Sequence, residues 1–211
     1  MEDTKYIDII DNFENHLESF VDEDDILVFD DESEENKVDV YWIKPNKEYR
    51  PYSILVTCGM GRFPMMWPDR EEDDEEQFIE VAMLFPMDWD FNSESDTVIW
   101  PIEYLRSIGK MAVSLDTWIE FGDTIECDKS KGGYFPGTRF NSAIIFPSIK
   151  LPKTFTNIEN GDDLINIYSA IPLYPEELNF KQDKGSNILI DKFNKFDIQE
   201  IIDIKRINTC K

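Results

Sequence analysis

Two short runs of carboxylates interrupt the chain and limit where a folded core can form. Residues 22–35 hold nine acidic side chains in fourteen positions, and residues 69–76 hold seven together with one arginine. These runs carry 15 of the 24 net negative charges of the 211-residue chain. We expect both to be exposed and mobile, apart from a short strand at 26–29. The chain is 41% hydrophobic and 13% aromatic, so the residues outside these runs can supply a core.

The charge balance argues against two classes of partner. A chain with pI ≈ 4.2 repels the phosphates of nucleic acids, which basic side chains must neutralise. It also repels anionic membrane surfaces. No local basic patch stands out, so we expect neither direct nucleic-acid binding nor membrane binding.

The cysteines and the N-terminus indicate a cytoplasmic protein. Cys58, Cys127 and Cys210 are odd in number and far apart, which favours a reducing compartment over a disulfide framework. The N-terminus has no basic-then-apolar signal peptide, and no apolar run is long enough to span a membrane.

The spacing of apolar residues predicts a mixed α+β domain. An N-terminal helix has one apolar stripe, at Tyr6, Ile10, Phe13, Leu17 and Phe20. Strands are expected at 38–43, 53–57, 78–85, 143–146 and 164–171. The first is expected to be half-buried and to pair antiparallel with the second. Because strands and helices alternate without a βαβ period, we predict a largely antiparallel twisted sheet packed with several helices.

Prolines and a serine predict where three later helices begin. Pro101 should open a helix whose inner face carries Leu105, Ile108 and Ala112. Pro175 should open a second, and Ser186 should cap a third that runs to about Phe193. The inward positions should form one core, made of Ile54, Val56, Val81, Met83, Leu105, Ile108, Ile144 and Phe146.

No catalytic, cofactor or metal motif emerges from the sequence. The lone histidine, His16, is best interpreted as an exposed helical residue. Gly59-Met60-Gly61 lacks the third glycine and the lysine of a phosphate loop. The acidic runs lack the alternating Asp spacing of a calcium loop. With so many carboxylates, any chosen acid–base pair is weak support for catalysis, so we expect a non-enzymatic protein without a cofactor.

Several tryptophans lie near the ends of predicted segments. Trp67 and Trp118 are two of them, and each is either a core residue or a loop-borne anchor for a partner.

An ordered set of short blocks is similar to the suppressor of fused domain family and covers about residues 38–211. The blocks are Thr57-Cys58-Gly59-Met60, Pro64-Met65 before a glutamate-bearing strand, Leu84-Phe85-Pro86-Met87-Asp88-Trp89, Trp100-Pro101-Ile102, Asp116-Thr117-Trp118 with Phe121-Gly122-Asp123-Thr124-Ile125, Tyr168 with Ile171-Pro172-Leu173-Tyr174, and Glu177-Leu178 before Asp203, Arg206 and Asn208. One position departs, because Asp123 stands where this family usually has histidine.

The resemblance implies an α+β domain with a binding role rather than an enzyme. Animal members of the family sequester a zinc-finger transcription factor and hold an extended peptide of it between two domains. Short stand-alone members resemble bacterial proteins proposed as immunity proteins against secreted toxins. We therefore expect one such domain at 38–211, with residues 1–37 as an N-terminal helix and acidic segment packed on it.

Two binding hypotheses and one enzymatic hypothesis follow. The leading one is an immunity-type protein that neutralises a cognate basic toxin, because acidic loops attract a basic surface at long range. The second is a regulatory module that binds a peptide by strand addition. The third, an enzyme with carboxylate chemistry, has the least support. The predicted partner-binding residues are Trp67, Glu71, Glu72, Asp73, Asp74, Glu75, Glu76, Trp118 and Asp123.

Overall fold

The computed structural model describes residues 2–33, 36–65, 77–114, 117–128, 130, 132–161 and 163–211. In this part of the chain there are five α-helices and eight β-strands, which confirms the α+β prediction. The helices are α1 (Glu2–Glu18), α2 (Asp96–Ser114), α3 (Lys153–Thr156), α4 (Pro175–Lys184) and α5 (Ser186–Lys195). The strands are β1 (Ile26–Phe29), β2 (Asp39–Ile43), β3 (Tyr52–Cys58), β4 (Phe78–Pro86), β5 (Thr124–Glu126), β6 (Ser142–Pro147), β7 (Asn157–Asn160) and β8 (Asp163–Leu173).

The strands form one sheet in the order β1-β2-β3-β4-β8-β6-β5, and β7 pairs with the first half of β8. The predicted antiparallel pair is present as β2 and β3, with Trp42 opposite Leu55. Only β4 and β8 run parallel among the described pairs. Beyond its pairing with β4, strand β8 continues beside β6. The C-terminal segment, residues 196–211, then lies next to β4, where Ile202 N donates to Leu84 O at 2.9 Å. The sheet therefore forks at this point.

Helices cover both faces of the sheet, so the prediction of one core was wrong. In β3, Leu55 packs on the α2 side, whereas Ile54 and Val56 pack on the α1 side. The eight predicted residues are all in the packed interior but are divided among three clusters: Val81, Met83, Leu105 and Ile108; Ile54 and Val56; Ile144 and Phe146. Burial on both faces also explains why every residue of β2 is buried, not every second one as predicted.

Helix α2 begins one turn earlier than predicted. The N–H groups of Val98 and Ile99 already donate to Ser95 O at 2.8 and 3.0 Å, so Pro101 is the sixth helical residue. Proline has no N–H to donate to the carbonyl of Thr97, and the helix continues past that missing bond. The predicted inner face is confirmed, since Leu105, Ile108 and Ala112 are all buried.

Helix α1 packs on the opposite face through a stripe that differs slightly from the predicted one. Ile9, Phe13 and Leu17 are buried, and the ring of Phe13 meets Tyr41 edge-on at 5.2 Å. His16 was predicted to be exposed, and that prediction was wrong, because the side chain is half-buried. Its Nε2 lies 2.8 Å from Phe155 O, and this contact ties α1 to α3.

Helices α4 and α5 pack Leu178, Leu189 and Phe193 against β6 and the end of β8, which forms the third cluster. Pro175 is the first residue of α4, as predicted. The predicted capping role of Ser186 was wrong, because Gly185 takes the cap position. Instead, Ser186 Oγ donates to Gly122 O at 3.1 Å and ties α5 to the loop before β5.

In the first acidic run the predicted exposure is confirmed for most of the described carboxylates but not for Asp25, which is half-buried, or Asp31; Glu34 and Glu35 lie outside the described residues. Its strand is present as β1, and five of its carboxylates are exposed: Asp22, Glu23, Asp24, Asp30 and Glu32. Asp31 is buried and pairs with Lys110 of α2 at 2.8 Å. Burial alone raises the pKa of Asp31, but hydrogen bonds from Lys110, Val38 and Ser33 outweigh it and hold the pKa well below its usual value. The second run lies outside the described residues.

In the part of the chain that the structure covers, none of the helices has the length and apolar character needed to cross a membrane.

Candidate functional site

A buried glutamate organises the turn after β3. Glu80 of β4 is fully buried and accepts hydrogen bonds from Thr57 Oγ1, from Gly59 N at 2.9 Å and from Gly61 N at 2.8 Å. Gly59 has φ +126°, and a Cβ there would lie 2.5 Å from Lys37 O, so only glycine fits. The Thr-x-Gly-Met block thus folds around a carboxylate of the neighbouring strand.

This arrangement leaves the turn unsuited to phosphate binding or nucleophilic catalysis. The amides of Gly59 and Gly61, which a phosphate would need, already donate to Glu80. Cys58 is completely buried, and its burial, together with the nearby Glu80 carboxylate, raises the pKa of the thiol well above its usual value. A neutral buried thiol is a poor nucleophile.

A second buried glutamate fastens the C-terminus. Glu177 of α4 forms a bidentate ion pair with Arg206, with Oε1 2.8 Å from one guanidinium nitrogen and Oε2 2.5 Å from the other. Glu177 Oε1 also accepts from Thr209 N at 2.9 Å. The guanidinium of Arg206 lies 4.9–5.2 Å from the ring centres of three aromatic residues: Phe140, Tyr174 and Phe193. The late sequence blocks therefore meet at the ion pair between Glu177 and Arg206, which we call the latch.

A third buried glutamate lies at the fork of the sheet. Glu200 accepts from Ile149 N at 3.0 Å and Lys150 N at 2.9 Å, and from the hydroxyls of Ser148 and Ser169. Ser169 is the last residue of β8 paired with β4. Glu200 thus joins the C-terminal segment, β8 and the loop after β6.

Sequence reasoning missed the roles of these three glutamates. Each is at most 2% exposed and accepts several hydrogen bonds from backbone or hydroxyl donors. Their positions predict structural anchors, because no substrate can reach a carboxylate that is both enclosed and surrounded by its own donors. A sequence signal existed for two of them, since Glu80 and Glu177 lie in the blocks that carry the family resemblance.

The structure places two of the predicted partner-binding residues near β5. Trp118 is half-buried and packs against the core on the α2 face. Asp123 lies in the turn before β5, where its Oδ2 accepts from Glu120 N and its carbonyl accepts from Ile145 N, both at 2.9 Å. Asp123 therefore shapes the entry into the edge strand. Trp67 and the acidic residues 71–76 lie outside the described residues.

Two concave surfaces are lined in part by residues of α2 or of the connection that leads into it. A groove of about 1080 Å³ runs between the C-terminal segment and the connection from β4 to α2, with Trp89, Ile201 and Ile204 among its apolar walls. A cavity of about 440 Å³ lies between α2 and the loop that follows β5, with aromatic walls that include Trp100 and Phe135. Across the described residues, no three His, Cys, Asp or Glu side chains are grouped to hold a metal ion.

Comparison with known proteins identifies one family. A family model described as Suppressor of fused protein (SUFU) matches residues 34–207. The chain is also 24% identical over 158 residues to an uncharacterized protein of Ureaplasma parvum serovar 3. The aligned residues make up 75% of this chain and 74% of that protein.

Three solved structures are similar in fold. A crystal structure of a SUFU homolog from Neisseria gonorrhoeae has a TM-score of 0.68 and 19% identity, with 96% of this chain and 97% of that chain covered. A chain of the Sufu–Fu complex has a TM-score of 0.64 and 12% identity, covering 95% and 91%. Drosophila Suppressor of Fused has a TM-score of 0.53 and 12% identity, and the match covers 87% of this chain but 42% of the fly protein.

Proposed function

Because the chain belongs to the suppressor of fused protein family, we propose that it is a non-enzymatic domain that binds a basic toxin in the cytoplasm and neutralises it. The family places it among binding and regulatory domains. The three cysteines, all thiols, favour the reducing compartment.

The division of the carboxylates between interior and surface carries the proposal. The buried glutamates each accept hydrogen bonds from the fold, whereas many other carboxylates are exposed, and the whole chain has a formal net charge of −24. Net charge of this size does not help folding, since like charges repel one another. It does speed the encounter with a surface of opposite charge, and toxins that act on nucleic acids carry such surfaces.

The structural relatives support binding in a more general way. One similar fold is that of a chain in a crystal structure of a Sufu–Fu complex. We infer from this that the fold suits capture of another protein.

Growth neutralisation tests the proposal. A gene adjacent to the one for this chain should encode a secreted toxin, and production of its toxic domain in a bacterial host should stop growth. Co-production of this chain should restore growth and should not protect against an unrelated toxin of similar charge. If the neighbouring genes encode no toxic domain, or if growth is not restored, the immunity proposal is wrong.

A second candidate is a regulatory module that binds an extended peptide by strand addition, and the position of β5 favours it. This three-residue strand ends the order of the described sheet and pairs with β6 alone. Thr124 and Ile125 are half-buried and Glu126 is exposed. An edge of this kind can accept a further strand through main-chain hydrogen bonds. Binding of this kind depends little on salt, which separates it from the leading proposal.

A further inference from the structure

The cavity between α2 and the loop after β5 is lined by aromatic rings. Trp100 and Phe135 stack face to face, with ring centres 4.3 Å apart and planes 8° apart. Tyr104 meets Phe135 edge-on at 4.6 Å, and its hydroxyl donates to Ile125 O at 2.7 Å, which fixes the cavity wall to β5. Tyr134 is also part of the lining and is 52% exposed. At about 440 Å³ the cavity falls in the range of pockets that bind small groups.

Among the residues that the structure describes, the charged side chains lining this cavity are all acidic. Asp96, Glu103 and Asp128 line it and are all exposed, and no cationic side chain is among its described lining residues. Lys129 and Lys131, on the same loop, are outside the part of the chain that the structure describes. Glu103 forms an ion pair with Arg106 at 2.9 Å, and the same guanidinium also donates to the carbonyls of Phe29 and Val38, which are not part of the cavity lining.

Aromatic faces with carboxylates at the rim form a site for a cation. A guanidinium group stacks on aromatic rings and binds carboxylates through its fork of N–H donors, while ammonium acts as a compact, strongly hydrated point charge. The protein itself contains an example, since Arg206 lies between three aromatic rings and pairs with Glu177. The described lining of the cavity likewise combines aromatic rings with carboxylates.

We propose that this cavity binds an arginine side chain of the protein partner. The inference rests on the proposed function, because it assumes a protein partner, and it adds the place and the chemistry of contact. Cys127 and Asp128 directly follow β5, so a partner segment lying along that edge would pass the mouth of the cavity. The arginine would lie against the exposed ring of Tyr134 at the mouth of the cavity, and its guanidinium would approach Asp96 and Glu103.

A peptide titration tests the site without the partner. The probe is a pentapeptide with a central arginine between glycines, acetylated and amidated, and the matched control peptide has citrulline in place of arginine. Indole and backbone N–H signals of the folded chain are followed by NMR, with the Trp100 signal assigned from a Trp100→Phe variant. The arginine peptide should shift signals of Trp100 and Tyr134 with saturation, and the citrulline peptide should not.

Matched variants then locate the contact. Tyr134→Ala and the double change Asp96→Asn with Glu103→Gln should each weaken arginine-peptide binding by about fivefold or more. The controls are Tyr49→Ala, which removes a tyrosine that is 63% exposed elsewhere, and Asp191→Asn on α5, and both should leave binding unchanged. Thermal melting of each variant shows that the fold is retained.

Three outcomes would overturn the site. These are no saturable shift, equal shifts from the arginine and citrulline peptides, and equal weakening by the control variants. The proposed function can fail separately. If the peptide binds as described but no toxin is neutralised, the site stands and the immunity proposal falls. If the toxin is neutralised equally well by Tyr134→Ala and by the double variant, the site is wrong and the function stands.

Discussion

Glu80 should make the stability of the fold depend on pH. Burial raises the pKa of this carboxyl to about 7 from 4.5, although hydrogen bonds from Thr57, Gly61 and Gly59 lower it. An unfolded chain loses this proton near pH 4.5, whereas the folded chain keeps it until about pH 7. Between these values the folded state binds more protons, so its stability falls as pH rises. The contribution of Glu80 is complete below about pH 4.5 and lost above about pH 7.

The variant Glu80→Gln tests this dependence. The glutamine Oε1 can still accept from Gly59 and Gly61, and its Nε2 can donate to Thr57 Oγ1, so the fold should persist. Urea unfolding from pH 4.5 to 7.5 should show a loss of stability in the unmodified chain that is up to roughly 3 kcal/mol larger than in the variant. Glu159→Gln, at an exposed position on β7, should follow the unmodified chain. Parallel pH profiles for the unmodified chain and Glu80→Gln would contradict the assignment.

Single residues also show how far sequence reasoning reaches. The block around Gly59 could be recognised because its residues are adjacent in the chain. Its central partner could not, because Glu80 lies 23 residues from Thr57 and only strand pairing brings them together. Glu200 is a stronger case, since it lies 52 residues from Ser148 and has no motif around it. The aromatic cavity likewise depends on where a loop folds back onto α2.

Helix α2 depends on its inner face for its attachment to the sheet. Leu105 is fully buried in the cluster on the α2 side, between the helix and the strands. We expect Leu105→Ala to reduce the free energy of unfolding by ~2–5 kcal/mol, because it removes buried methylene and methyl groups and leaves a cavity. Denaturant unfolding measures the change directly.

A control on the same helix separates packing from helix propensity. Ser114→Ala changes an exposed residue at the end of α2 and should alter stability by no more than about 0.5 kcal/mol. A loss below ~0.5 kcal/mol for Leu105→Ala would show that this face does not support the core.

Elements with strong local patterns were predicted, and those set by context were not. Strands β2, β3, β4, β6 and β8 are long apolar segments next to turn residues, so their positions were predicted within a few residues. The start of α2 was not, since the helix begins at Asp96, five residues before the proline that was predicted to open it. The short β5 and β7 have little apolar pattern of their own. They exist because β6 and β8 offer edges to pair with.

Across the whole molecule, charge is divided unevenly between its ends. The last 36 residues contain seven acids and seven bases, whereas two short runs near the N-terminal half carry most of the net charge. The neutral part builds the latch around Arg206 and the fork at Glu200, so it holds the fold together. The acidic part has few such contacts in its described residues, with Asp31 as the exception. This separation allows the surface charge to change without loss of the fold.

Salt should therefore act mainly on association with a basic partner. The Debye length falls from ~10 Å at 0.1 M to ~3 Å at 1 M salt, so the acidic loops attract the partner over a shorter range as salt rises. Steering changes the on-rate more than the off-rate. Neutralising the second acidic run should have the same effect as salt. We expect its charges to be solvated, so the free energy of unfolding should be nearly unchanged, because solvated charges contribute little to stability.

Stopped-flow kinetics with the cognate toxin at low and high salt test this prediction. One variant changes the second run to amides at Glu71, Glu72, Asp73, Asp74, Glu75 and Glu76. A control of equal net charge changes six scattered exposed carboxylates to amides: Asp11, Glu18, Glu94, Glu159, Asp163 and Asp191. The on-rate of the first variant should fall well below that of the control and should lose most of its salt dependence. Equal on-rates for the two variants would show that steering depends on total charge. An on-rate that changes neither with salt nor in either variant would leave strand addition at β5 as the mode of binding.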